Sequence, residues 1–433
     1  MINKWLIAFA CGWINLFIFS VFRSSGLVYV KVLELFDCTY QQAAYSVSLV
    51  GSVASTTGIA SGFLTHYFTP RSLIVIGILI CSSSVSITYL ASSIHFVIIS
   101  VGILQGIGIG FVTCLLPAVL NSHFDQQKSI ALGISYAGAT LGAFIFPLII
   151  QWMFSTYGFH VTMLILGGVI LNAILGAIWL KIRSNDEHDD EEEHQHSIRE
   201  IQLETTRIRT EDCSNSNNEE QVANFWQRFK QNLMNDYRLL SNFHFFLCSF
   251  TYINFIIDFI SFIIILPDVA KDRNIAPEDA KWLLSIFAIT DFAGRLLPGW
   301  LSFWKLTSDK CTYIMSILIL GLCMLLLVII ESWTNFVLVT LLCGFVTGCQ
   351  MVLSPVVLAD YFGTENTAIA FGMENFICGL LSIFFRPMII GIKDIYGTYH
   401  NLGYILFASV VINITLWIIE IVFCRHRKTL REQ

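Results

Sequence analysis

The chain has 433 residues, of which 55% are hydrophobic and only 13% charged, with a formal net charge of -6. Soluble proteins carry about 25% charged residues, and at this size a single core still needs a polar exterior. The mean hydropathy of +0.69 therefore places most of the chain in lipid and excludes secreted soluble, cytosolic and nucleic-acid-binding proteins. The acid excess says little about partners, because much of it lies in one central stretch, 185–196.

A bilayer is crossed by about 20 mostly apolar residues. Such runs fall at 5–32, 44–67, 72–91, 96–120, 130–153 and 161–182, then at 242–268, 281–301, 311–330, 336–360, 368–391 and 401–424. The pattern predicts an all-α membrane protein with twelve transmembrane helices in two six-helix bundles, 1–182 and 241–424, and a basic tail over 425–433. Short loops make neighbouring helices antiparallel. The N-terminus runs into the first span without a small-residue cleavage site, so no signal peptide is expected. With both termini cytoplasmic, and the long central loop set aside, the inner side holds nine Lys and Arg residues against four outside, the bias that cytoplasmic loops show. Most of the 12 cysteines lie inside apolar runs, where they act as small hydrophobes rather than disulfide partners.

The segment 183–240 breaks the pattern. Its first part is acidic, with His188, His194 and His196 among carboxylates, and its low hydrophobicity predicts a disordered cytoplasmic linker, with weak metal binding as the alternative. Toward its end, Val222, Phe225, Trp226, Phe229, Leu233, Met234 and Tyr237 recur at helical spacing beside Arg228, Lys230 and Arg238, which predicts an amphipathic helix on the inner membrane face.

Glycines mark the fourth span (Gly102, Gly106, Gly108, Gly110) and the fifth (Gly133, Gly138, Gly142). This spacing lets helix backbones approach closely, so both faces are expected to pack within the chain, with dimerisation as the alternative. The 62–71 loop keeps Gly62 and Arg71 of the facilitator pattern Gly-x-x-x-Asp-x-x-Gly-Arg-Arg, with His66 where the acid stands.

A charge at the centre of a span costs about 2.5–3.5 kcal/mol, so each one needs a reason. Asp291 and Arg295 are four residues apart in the eighth span and share a helix face on which they can pair. Arg stays charged and its planar fork matches a carboxylate, whereas Asp titrates. The two supply an anion clamp beside a proton acceptor, or else a structural ion pair, which stabilises little. Asp258, midway along the seventh span, is a second proton or cation site or the balance to an arginine. Arg23, in the outer half of the first span before Ser24 and Ser25, either snorkels outward or binds substrate.

Leu283-Leu284-Ser285-Ile286-Phe287-Ala288-Ile289-Thr290-Asp291-Phe292-Ala293-Gly294-Arg295 resembles the eighth helix of the monocarboxylate transporter family of the major facilitator superfamily. The 131–142 segment around Gly133 and Gly138, the string Tyr157-Gly158-Phe159-His160, the run 164–168 ending in Gly167-Gly168, Glu374, and Asp394 with Tyr396-Gly397 are similar to that family in the same order. The resemblance spans both halves and omits the linker. It implies transport of small monocarboxylates, often with a proton, although some members carry aromatic amino acids, creatine or thyroid hormones. The eighth-helix acid and arginine carry over to Asp291 and Arg295, and members often need a single-span immunoglobulin-like ancillary protein. The lysine of proton-coupled members in the first span aligns with Ser24, one position after Arg23, and the family's Gly- and Trp-rich signature at the start of that span is missing.

The expected function is thus a secondary active transporter that moves a small monocarboxylate across the plasma membrane by alternating access, coupled to a proton. Arg295, Arg23 and Ser24 are the expected substrate-binding residues, and Asp291 and Asp258 the proton-coupling ones. The other readings are a proton-independent carrier of an amino acid or other zwitterion, and a non-transporting sensor of the same fold. The spans hold no His/Asp/Glu cluster, Ser/His/Asp grouping or phosphate-binding glycine loop, so no enzyme, cofactor or metal site is expected. Lipid, substrate and proton are the expected partners, and nucleic acid is not.

Overall fold

The computed structural model describes residues 4–36, 38–124, 127–180, 241–273, 277–396 and 399–431. The acidic linker, its histidine run and the 222–238 amphipathic stretch lie outside the described residues. Met1–Lys181 and Asn242–Gln433 form one compact unit, and the described residues in it are helical, with no strand among them.

Twelve spans are present in two sets of six. In the first half, Lys4–Ile18 continues through Ser20–Arg23 and Ser25–Leu35 as span one. Tyr40–Leu64 and Pro70–Ile87 are spans two and three. Span four runs from Ile94–Val97 through the π-helical Ile98–Leu104 into Gln105–His123. Spans five and six share the helix Lys128–Leu171, which turns at Gly158, and Ala173–Trp179 completes span six. In the second half, Phe243–Asp272, Pro277–Phe303 and Asp309–Ile329 are spans seven to nine. Trp333–Tyr396 holds spans ten and eleven, joined at Gly363, and His400–Arg431 is span twelve.

Two differences from the sequence expectation have physical causes. The connections expected near 154–160 and 361–367 shrink to single non-helical residues, Gly158 (φ 73°) and Gly363 (φ 79°). Only glycine adopts positive φ without steric cost. In each case a threonine four residues on, Thr162 or Thr367, donates its hydroxyl to the glycine carbonyl (2.6 and 2.8 Å), which starts the next helix. Span one, expected as one rod, is interrupted at Phe19 and Ser24. The hydroxyls of Ser20 and Ser24 donate back to Phe17 O (2.6 Å) and Ser20 O (2.8 Å), a pattern that bends helices. Among the described residues, eight helical stretches are long and apolar enough to cross a membrane by length and composition alone. Span eight falls short of that measure because Asp291 and Arg295 interrupt its apolar run.

Helix ends are capped as their sequences allow. Thr39 and Gln42 form a reciprocal capping box at span two, and Thr69 caps span three with Pro70 at its first helical position, each filling orphan donors or avoiding one. The glycine stripes pack inside the chain. Gly106 and Gly110 meet span two, and Gly138 and Gly142 meet Gly12 and Leu16 of span one.

The halves meet toward the end of the bundle that carries both chain termini. There Lys128 Nζ pairs with Asp360 at 2.7 Å, Asn121 Nδ2 donates to Pro355 O at 3.0 Å, and Gly58 and Gly62 lie against Gly372 and Ala368. Nearer the middle the halves part around a cavity.

Candidate functional site

The site is built on span eight. Gly133 of span five faces the Arg295 carbonyl and Gly348 of span ten faces that of Asp291, and a Cβ at either position would overlap the oxygen. Two glycines thus let three helices close at the level of the charged residues. Within that clamp, Asp291 Oδ2 accepts from Arg295 Nε at 2.9 Å and Nη2 at 2.8 Å. The remaining nitrogen, Nη1, donates to the carbonyl of Tyr136 across the two halves at 3.2 Å. Both side chains are buried, and Asp291 Oδ1 has no hydrogen-bond partner.

Arg295 is also part of the wall of a cavity of about 220 Å³ between the halves. Six aromatic residues line it: Phe19 and Phe22 from span one, Tyr136 from span five, and Tyr252, Phe255 and Phe259 from span seven. Neighbouring rings touch, with centroids 6.1 Å apart for Phe19–Phe22, 6.0 Å for Tyr252–Phe255 and 6.2 Å for Phe255–Phe259. The polar wall is sparse. Ser55, Thr113, Thr347 and Asn375 join the two arginines, and Asn375 Oδ1 accepts from the Tyr252 hydroxyl at 3.1 Å.

Arg23 enters the cavity from the interrupted part of span one, its guanidinium 6.0 Å from the Phe19 ring centroid. It is exposed there and has no ion-pair partner among the described residues. Ser24 points the other way: it is buried, its hydroxyl is spent on Ser20 O, and it is absent from the cavity wall. Asp258 is fully buried off the cavity, and neither carboxylate oxygen has a partner. The structure therefore brings Arg23 and Arg295 to one cavity, sets Asp291 behind Arg295, and leaves Ser24 and Asp258 away from it. Among the described residues no Asp or Glu lines the cavity, and no cluster of three His, Cys, Asp or Glu could hold a metal.

Sequence reasoning did not single out the aromatic wall or Asn375. Tyr136 lies within the 131–142 segment, but 35 phenylalanines and 14 tyrosines leave wall and core rings indistinguishable by pattern. Glu374 resembles Asp258 in being fully buried with both oxygens unpartnered.

The arrangement can hold an anion. It offers the guanidinium of Arg23, a second guanidinium held by the Asp291 carboxylate, and a largely apolar wall.

A family model described as Major Facilitator Superfamily matches residues 5–264 and 245–433. Monocarboxylate transporter 12 of Xenopus laevis is 22% identical over 401 residues, covering 91% of this chain and 84% of the relative. Monocarboxylate transporter 2 of Homo sapiens is 22% identical over 422 residues, covering 94% and 85%. Among solved structures, a transporter called FucP in the outward conformation superposes with a TM-score of 0.68 at 12% identity, covering 96% of this chain and 98% of that one.

Proposed function

This chain belongs to the major facilitator superfamily, and from that premise we propose that it carries a monocarboxylate across the plasma membrane by alternating access, taking up one proton with each anion. The observation that carries the proposal is that Arg295 both chelates Asp291 and lines the cavity. Similarity to relatives named as monocarboxylate transporters supports the choice of anion.

Arg23, the unpaired cation, draws the anion in. A proton arriving at the free Oδ1 of Asp291 removes the charge that holds Arg295, and the guanidinium fork turns to the substrate carboxylate. The cavity then bears one net positive charge both empty and loaded: two arginines and Asp291 carboxylate in the first case, two arginines, a neutral Asp291 and the anion in the second. Because the count is the same, the membrane potential neither drives nor opposes the loaded step more than the empty one. Separation of the contacts at the terminal end, including Lys128–Asp360, opens the site to the other side.

Lys4, Arg71, Lys128, Lys305 and Lys310 lie at the ends of spans on the side of the chain termini, which supports a cytoplasmic location for both termini. The zwitterion reading loses support, since neither Asp258 nor any other carboxylate lines the cavity among the described residues.

The test is uptake of labelled monocarboxylates into proteoliposomes under an imposed acid gradient, with Arg295→Ala and Asp291→Asn. Loss of uptake in the first and loss of gradient stimulation in the second are expected. Unchanged uptake in both removes the site, and ligand binding without flux in the parent chain favours a sensor.

A further inference from the structure

We infer that the preferred substrate is an aromatic monocarboxylate without an ammonium group, rather than a three-carbon acid or an amino acid. This deepens the carrier reading above and rests on it.

The first ground is size. A water's share of liquid volume is about 30 Å³, so a cavity of about 220 Å³ holds roughly seven waters. A three-carbon acid fills a minor part of that space and leaves the rest as water against apolar walls. A ring on a short carboxylate stem fills far more of it.

The second ground is the wall. Six ring-bearing residues line the space, and the polar complement apart from the arginines is Ser55, Thr113, Thr347, Asn375 and the two tyrosine hydroxyls, of which that of Tyr252 is bonded to Asn375. Phe255 and Phe259, one helical turn apart and stacked at an interplanar angle of 24°, present one continuous aromatic surface. Aromatic pairs favour offset or edge-on contact with a further ring, and Phe19 beside Arg23 lets a guanidinium and a ring share the same guest. A small hydroxy acid offers nothing to this surface.

The third ground is charge. The wall carries two guanidiniums and, among the described residues, no carboxylate. Asp291 spends its bonded oxygen on Arg295, while Asp258 and Glu374 lie off the cavity. A carboxylate meets a planar fork in Arg23. An ammonium on the same molecule would be added to a low-dielectric space that already bears a net positive charge, where like charges repel strongly.

The experiment uses the full chain in proteoliposomes at one fixed acid gradient, measuring saturable uptake of labelled phenylpyruvate, pyruvate and phenylalanine. The expected result is a KM for phenylpyruvate about 10-fold below that for pyruvate, the ratio that about 1.4 kcal/mol of extra contact produces, and no saturable phenylalanine uptake. A second measurement compares kcat/KM for the two acids in Phe255→Ala/Phe259→Ala, where the preference for phenylpyruvate should fall about 10-fold. Should that variant misfold, the substrate panel in the parent chain decides alone. Pyruvate carried as well as or better than phenylpyruvate overturns the aromatic inference and leaves the carrier reading standing. Phenylalanine carried as well as phenylpyruvate overturns the exclusion of ammonium. Saturable uptake of neither acid, with no shift of thermal stability by either, sinks the carrier reading itself.

Discussion

Through residue 180 the chain contains three carboxylates, Glu34, Asp37 and Asp125, and among the described residues none of that half's buried groups is an acid, lysine or arginine. The second half buries Asp258, Asp291, Arg295, Glu374 and Glu420. Each half contributes three of the cavity's six aromatic residues, the first adds the guanidinium of Arg23, and the second adds Arg295 with Asp291 behind it. The buried acids of the second half differ by partner: Asp291 is held by Arg295, Glu420 by Lys310 at 2.6 Å and the Tyr361 hydroxyl at 2.9 Å, and Asp258 and Glu374 by no hydrogen bond among the described residues. Asp291 and Arg295 share one helix, whereas Arg23 reaches the same cavity from span one. A local proton event on one half and a substrate bridging both is the division this layout permits.

The largest expected effect breaks the charged half. Arg295→Ala should reduce uptake on the order of 100-fold or more and lower stability by about 3–5 kcal/mol, because it strands a buried carboxylate. Thermal melting in detergent separates the two losses, and Asp291→Asn/Arg295→Gln should recover the melting temperature without recovering uptake. Asp291→Asn alone keeps a neutral side chain in place. Net uptake driven by an acid gradient should fall about 10-fold, the scale of 1.4 kcal/mol, while exchange of labelled for unlabelled substrate persists; a variant that still responds to the gradient would count against the proton site.

Substitutions in the first half should do less. Gly133→Val forces side-chain atoms onto the Arg295 backbone and should cost about 1–3 kcal/mol, the range for overpacking, with transport slowed through span eight. Arg23→Ala should raise KM about 10-fold and lower kcat less, read from initial rates. The smallest effect belongs to the partly exposed bridge between halves: Lys128→Ala should cost under about 1 kcal/mol and appear mainly as greater labelling, from the terminal side, of a cysteine introduced by Ser55→Cys.

Much of the fold is readable before any coordinates. The spans found lie close to the apolar runs, since lipid demands continuous hydrophobicity and internally satisfied backbone. Asp291 and Arg295 stand out for the same reason, being costly enough to betray themselves. What pattern does not reveal is direction. Ser24 aligns with a family lysine yet turns its hydroxyl into its own helix, and Asp258, like Asp291 an acid midway along a span, faces packing. Near the middle of a span, rotation by one residue decides between cavity and core, and hydropathy is blind to it when every neighbour is apolar. Span twelve shows the same limit at a boundary, since it continues as helix through the basic tail to Arg431, where cations suit a helix C-terminus.

By itself the amino-acid order determined that this protein spans a bilayer twelve times, on which side its basic loops gather, and that one helix carries an acid and an arginine a turn apart. Each of these follows from short-range chemistry, whether the cost of polar groups in lipid or the pitch of a helix. Only the tertiary structure decided that Arg23 and Arg295, 272 positions apart in the numbering, face one aromatic cavity, and that Asp258 does not. That outcome depends on how twelve rods rotate and settle against one another, which is governed by close packing of small residues between distant segments rather than by any local preference.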